Sequence, residues 1–238
     1  FSTMILPAII ILLKTEFNVS LLQLGKLMMA QIFFMGISGF PAGIFVDRFG
    51  VKFILSIYFF GIFLSSLLLY CSTNYILMYL GMSLLGLMAG LYHPAGLKLI
   101  SSSYDLSKQM AIHGIFGSLG LAFGPLYGAY LGLINWRIAY LIVGIISLLG
   151  FLLTIIFIEE NKKLRKWPSL MVNIHKTHII IFVIASLWGL AHHGIFNFLP
   201  YYFSERVNFG YDLILQGGLL TAFILFIGII GQYVGGKL

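Results

Sequence analysis

Charge is what this 238-residue chain has least of. Only 9% of its residues are Asp, Glu, Lys or Arg, against 60% hydrophobic, and the mean hydropathy is +1.03. Soluble domains carry about 25% charged residues, so a water-exposed fold is excluded. Cysteine is almost missing as well: Cys71 stands alone, which leaves no disulfide framework and no cysteine metal site. There is no Gly-Lys-Ser/Thr phosphate loop, which argues against ATP-driven pumping by this chain. No paired carboxylates or nucleophile elbow suggest an intramembrane enzyme, and His192-His193 lacks the spacing of a metalloprotease helix. No enzyme activity, metal or cofactor is expected.

What is present is long apolar sequence. Runs of about 18 or more residues with few charges read as membrane spans. Eight such runs are predicted, at 1–14, 22–46, 52–71, 75–99, 109–133, 138–158, 178–203 and 212–238. Their lengths suit helices, since barrel strands would be about half as long and alternate. The chain opens on Phe1 inside one apolar run and closes on Leu238 inside another. It is therefore expected to be an internal piece of a longer protein, with no cleavable signal peptide ahead of the first run. The net charge of +7 is no nucleic-acid footprint, because the basic residues sit in short loops between spans. Ten of the 14 Lys and Arg fall on one side: Arg48, Lys52, Lys98, Lys108, Lys162, Lys163, Arg165, Lys166, Lys176 and Lys237. Lys14, Lys26, Arg137 and Arg206 fall on the other. That bias places the 47–52 loop, the 100–108 loop and the 159–177 segment in the cytoplasm.

The stretch Gly43-Ile-Phe-Val-Asp47-Arg48-Phe-Gly50-Val-Lys52 puts three charges between two segments that have none, Leu27 to Val46 and Phe53 to Leu97. Asp47 is expected to open the third span, where the helix dipole favours a carboxylate. The spacing Gly-x-x-x-Asp-Arg-x-Gly-x-Lys resembles the signature loop of the major facilitator superfamily, between transmembrane helices 2 and 3. By that resemblance Gly43, Asp47, Arg48, Gly50 and Lys52 would serve conformational gating as a cytoplasmic latch between two halves. The fold implied is all-α and polytopic, a six-helix bundle followed by the first two helices of a second bundle.

Segment 159–177 is the one long polar connection, and an internal repeat supports a division there. Leu6-Pro7 recurs as Leu199-Pro200, and Leu22-Gln23-Leu24-Gly25 recurs as Leu215-Gln216-Gly217-Gly218, both 193 residues on. Gly39 and Gly43 recur as Gly231 and Gly235, 192 residues on. The expected units are an amino-terminal bundle over 1–158, a linker over 159–177 and an incomplete second bundle over 178–238, as in transporters built from parallel repeats.

Within the fifth span Gly117, Gly120, Gly124 and Gly128 share one helical face, beside Pro125. Such a strip lets another backbone approach closely, and Pro125 favours a bend. It resembles the Gly-x-x-x-Gly-Pro motif in the fifth helix of drug and metabolite antiporters, which implies gating roles for Gly120, Gly124, Pro125 and Gly128. Read without the resemblance, the strip is small-residue packing.

Four histidines, His93, His113, His192 and His193, fall within spans away from their first residue, where ionisable groups point to function. His93, in Tyr92-His93-Pro94, shares a face with Ser83, Gly86 and Gly90. His-Pro here and Ile112-His113-Gly114 further on resemble the exporters related to fosmidomycin-resistance proteins. His192 and His193 point about 100° apart. His193 lies on a polar stripe with Ser186, Asn197, Pro200 and Ser204, and His192 lies with Trp188 and Phe196. His113, beside the glycine face, reads as structural. In this superfamily helices 1, 4, 7 and 10 line the central cavity. His93 and His193, with Tyr92, Trp188, Asn197 and Tyr201, are the substrate or proton-path candidates. Many members carry an Arg where this chain has Met82, so coupling through that residue would fall to the histidines.

The resemblance thus implies a monomeric secondary transporter of the plasma membrane, working by alternating access, with a small molecule as cargo and a proton as coupling ion. Export is the leading expectation. Metabolite uptake by symport or uniport, or a non-transporting receptor of the same fold, is the alternative.

Overall fold

A computed structural model describes residues 2–101, 104–159 and 176–235, and the regular structure within them is helical throughout. Most of the expected linker, and Lys237 with it, lies outside the described residues. A 3-10 turn, Ser2–Met4, leads into α1 (Ile5–Ala8) and, after an irregular Ile9, α2 (Ile10–Glu16). Ser20 opens α3 (Leu21–Phe49) with a reciprocal cap, its Oγ accepting from Gln23 N–H at 3.3 Å while its own N–H donates to Gln23 Oε1 at 2.8 Å. Asn74 Oδ1, accepting from Leu77 N–H at 2.9 Å, starts α5 (Tyr75–Ile100) in the same spirit. Asp105 does so for α6 (Leu106–Phe157).

Between α3 and α4 (Val51–Tyr70) the connection shrinks to Gly50 alone. Its φ of 91° with ψ of 167° is a conformation essentially restricted to glycine. This corrects one expectation. Asp47 does not open the third span; it sits in the last turn of α3, where the helix dipole disfavours a carboxylate. An ion pair with Lys98, in the last turn of α5, offsets that placement.

The spans expected at 109–133 and 138–158 are joined in α6, with only Asn135 off the helix at φ −166°, ψ 113°. The Asn135 side chain restarts the helix by accepting from Arg137 N–H at 3.0 Å. The 178–203 run is likewise divided into α7 (Lys176–Phe196) and α8 (Leu199–Arg206), ahead of α9 (Leu213–Gly235). Among the described residues, five stretches are long and apolar enough to cross a membrane.

One apolar core joins α1, α2, the first turns of α3, parts of α4 and α5, and Trp136 to Val143 of α6. A smaller one joins Ala42, Val46, Ile54, Leu55, Leu91 and Ala95 near the Asp47 end. Helices α3 and α5 meet along their length because α5 carries glycine where they cross. A Cβ on Gly86 would overlap the Gln31 carbonyl, and one on Gly90 the Met35 carbonyl and Ser38 Oγ. In a bilayer such contacts replace the hydrophobic effect as the force between helices.

Candidate functional site

The Asp47 end is a set of ties between helix termini. Asp47 joins α3 to α5 through Lys98. Lys52, in the first turn of α4, donates to the Ile155 carbonyl in the last turns of α6 at 2.7 Å. A cation at those C-terminal carbonyls is favoured by the helix dipole. Two residues of the expected latch therefore hold α5 and α6, both within the expected amino-terminal bundle. A Cβ on Gly43 would meet nothing within 4 Å.

At the opposite end Arg137 pairs with Glu16 at 2.6 Å, donates through Nη2 and Nε to the Ser72 carbonyl at 2.7 and 3.2 Å, and lies 4.4 Å from the centre of the Trp136 ring. Trp136 Nε1 donates to the other Glu16 oxygen at 2.5 Å. Burial works to raise the Glu16 pKa, but the hydrogen bonds from Arg137 and Trp136, with the Arg137 charge, together hold it below its ordinary value. This knot binds the end of α2, the α4–α5 turn and the break in α6. Sequence reading missed it, because its four contributors, Glu16, Ser72, Trp136 and Arg137, come from three widely separated parts of the chain; only the departure of Trp-Arg from an apolar run marked it.

The glycine–proline strip of α6 is used at one end only. Gly124, Pro125 and Gly128 are buried, Gly120 is half-buried, and Gly117 is exposed with open space beside it. A Cβ on Gly128 would stand 3.1 Å from the Ile5 carbonyl of α1. Facing Pro125 is α9, where two consecutive glycines each meet a proline. A Cβ on Gly218 would lie 2.8 Å from the Pro125 carbonyl and 2.5 Å from Ala129 Cβ, while one on Gly217 would overlap the Pro200 carbonyl of α8. Gln216, just before them, accepts from Phe209 N–H at 3.2 Å and donates to the Val207 carbonyl. Its counterpart 193 residues earlier, Gln23, reaches back only three residues to the Ser20 N–H, whereas at the start of α9 it is Asp212 Oδ1 that accepts, from Ile214 N–H at 2.8 Å.

Tyr92, His93 and His113 come together. The Tyr92 ring lies nearly parallel to His113, 5.8 Å between centres and 22° between planes, and roughly edge-on to His93 at 5.6 Å and 67°. Tyr58 of α4 closes the group, 5.2 Å from Tyr92. On α7, His192 is sandwiched between Trp188 at 4.8 Å and Phe196 at 4.4 Å, and the His193 ring stands at 89° to it. Trp188 is exposed and belongs to the His192 face, apart from the buried Asn197, Pro200 and Ser204. His193 Nδ1 is buried with no hydrogen-bond partner among the described residues. Tyr201, half-buried, packs on the edge of the main core. The polar stripe does not continue along one helix: α7 stops at Phe196, Asn197 N–H donates to the His193 carbonyl, and α8 restarts at Leu199. His93 and His193 are not in contact in any described interaction.

Sequence reading also passed over Gln31, 4% exposed within α3, whose Nε2 has no partner among the described residues. Its neighbours are apolar and it falls in a charge-free run, so only its polarity inside a span signalled it.

The family model described as Major Facilitator Superfamily matches residues 1–238. No curated protein matches the chain.

Proposed function

The chain belongs to the Major Facilitator Superfamily, and from that premise we propose that it exports a small drug-like or metabolic compound in exchange for protons. As a member it is a multi-pass integral membrane protein of a family of secondary transporters, with small molecules as cargo. Export, the proton and the plasma-membrane setting are the proposal. So is the division into a bundle over 1–158, a cytoplasmic linker over 159–177 and a second bundle from 178.

The observation that supports export most is the seat of α9 on the Gly124-Pro125 strip, since that strip is the feature resembling antiporters. Close approach of two backbones at glycine gives a contact with little side-chain entropy to lose, which suits a seam that parts and re-forms. Gly120, Gly124, Pro125 and Gly128 act there as a gate. Gly43, Asp47, Arg48, Gly50 and Lys52 act at the far end. The path between uses His93 and His193, with Tyr92, Trp188, Asn197 and Tyr201 around them. Histidine supplies the proton-binding group because its charge changes near neutral pH.

Everted vesicles from cells expressing the gene test this directly. An inside-acid gradient is imposed, and a pH-quenched dye is followed while compounds are added. Compound-dependent recovery that vanishes in His93→Ala and in His193→Ala supports the whole reading. Recovery indifferent to both substitutions retains antiport and removes the histidines from it. Gradient-driven uptake of a labelled metabolite by intact cells, without dye recovery in the everted vesicles for any compound, replaces export with import.

A further inference from the structure

Helices α5 and α6 follow one another in the chain yet touch little: α5 packs chiefly on α3 and α4, and α6 on α4, α9 and α1. Near the Asp47 end the Tyr92–His113 stack bridges the two. Tyr92 is held from three directions, by Tyr58 of α4, by His113 of α6 and by the edge contact with its neighbour His93. Its ring also lies 3.5 Å from where a Cβ on Gly96 would stand, so a larger residue there would press on it. His93 itself is exposed, and Tyr92 is the aromatic group that borders it.

We propose that His113 is a positioning residue for His93: stacked on Tyr92, it fixes the ring whose edge sets the surroundings of the His93 imidazole. The consequence for transport rests on the proton-linked reading above, but the positioning does not. Stacking of flat rings is directional and offset-parallel contacts are favoured, whichever flat ring supplies them. A phenyl ring at position 113 therefore preserves the arrangement, and a methyl group does not. The titratable groups at this point, among the described residues, are Tyr58 of α4, Tyr92 and His93 of α5 and His113 of α6. The nearest formal charges on the two bridged helices are Lys98, five residues past His93 and paired with Asp47 of α3, and Lys108, five residues before His113. Both lie beyond the ring group, towards the helix ends.

The test is a titration that needs no transport. The full chain, purified in detergent with ring-labelled histidine, carries six histidines; the His93 resonance is the one lost in His93→Gln. Its titration midpoint is expected to move by at least about half a unit in His113→Ala, and to return to the wild-type position in His113→Phe. Tyr92→Leu approaches the same contact from the other side and should move it as His113→Ala does, while Tyr92→Phe should not. A midpoint unmoved by both His113→Ala and Tyr92→Leu overturns the proposal. A midpoint as displaced in His113→Phe as in His113→Ala overturns it too, because the imidazole charge would then act rather than the ring. The same variants in everted vesicles should show the pH profile of dye recovery displaced in His113→Ala and restored in His113→Phe. Should the wild type give no dye recovery while the titration behaves as expected, the proton-linked reading fails and the positioning of His93 stands.

Discussion

Helices α5 and α7 look alike as sequence: each is long and apolar, each contains glycines, and each carries histidine near one end. Their surroundings differ completely. In α5, 39% of the most apolar 18 residues are buried, and of the most apolar 18 between Ile179 and Arg206 none are. From Ile179 to Trp188 every described side chain is exposed, whereas Gly81, Gly86 and Gly90 of α5 are all buried. A Cβ at any of those three would press on a neighbour; at Gly189 and Gly194 of α7 it would meet nothing within 4 Å. Glycine in a span therefore has two meanings. On α5 it is a place where another backbone passes, and on α7 it is a residue with no described neighbour to accommodate.

Four substitutions sharpen or break that contrast, in order of expected effect on thermal unfolding in detergent. Gly86→Ala should be the most harmful, at about 3 kcal/mol or more, since its methyl group faces the Gln31 backbone and cannot be relieved by a rotamer change. Next comes Arg137→Ala, at about 2 kcal/mol, because it removes charged hydrogen bonds to Ser72 and Glu16 together. Lys52→Met should cost about 1 kcal/mol, leaving the α6 end without the cation that its carbonyls accept from. Gly194→Ala should have the smallest effect and the opposite sign, a gain of up to about 1 kcal/mol from helix propensity alone. If Gly194→Ala proves as damaging as Gly86→Ala, α7 is as closely covered as α5 and the contrast is lost.

The knot at Glu16 adds a pH dependence. A carboxylate whose pKa is lowered on folding stabilises the protein above its unfolded pKa, and that contribution is lost as the pH falls through the lower folded value. Wild-type unfolding temperature should therefore drop in acid, from the ordinary carboxylate range downward. Glu16→Gln should show a smaller drop over that range. An identical acid limb in both would place the dependence elsewhere.

Much of the helix plan was legible in the primary structure, since water-free surroundings leave a charge-free run little choice but to bond its own backbone. The Gly-Pro strip and the two faces of His192 and His193 were legible for the same reason: each depends on spacing within one helix. The reading of Asp47 as a helix start failed because helical structure runs through the charged stretch to Phe49, and only Gly50 breaks it. His113 was passed over as structural because the feature that involves it, the Tyr92 ring, is on another helix.

The sequence by itself determined that this is a helical membrane protein and the family to which its charged stretch belongs. Local backbone satisfaction and hydropathy govern those properties, and both act over a few residues. Which glycine of a strip meets a carbonyl, which cation finds Asp47 or Ile155, and which ring stacks on Tyr92 were decided only in the tertiary structure. These are contacts between helices, and in an apolar solvent no pattern along one helix says which of its faces a neighbour will take.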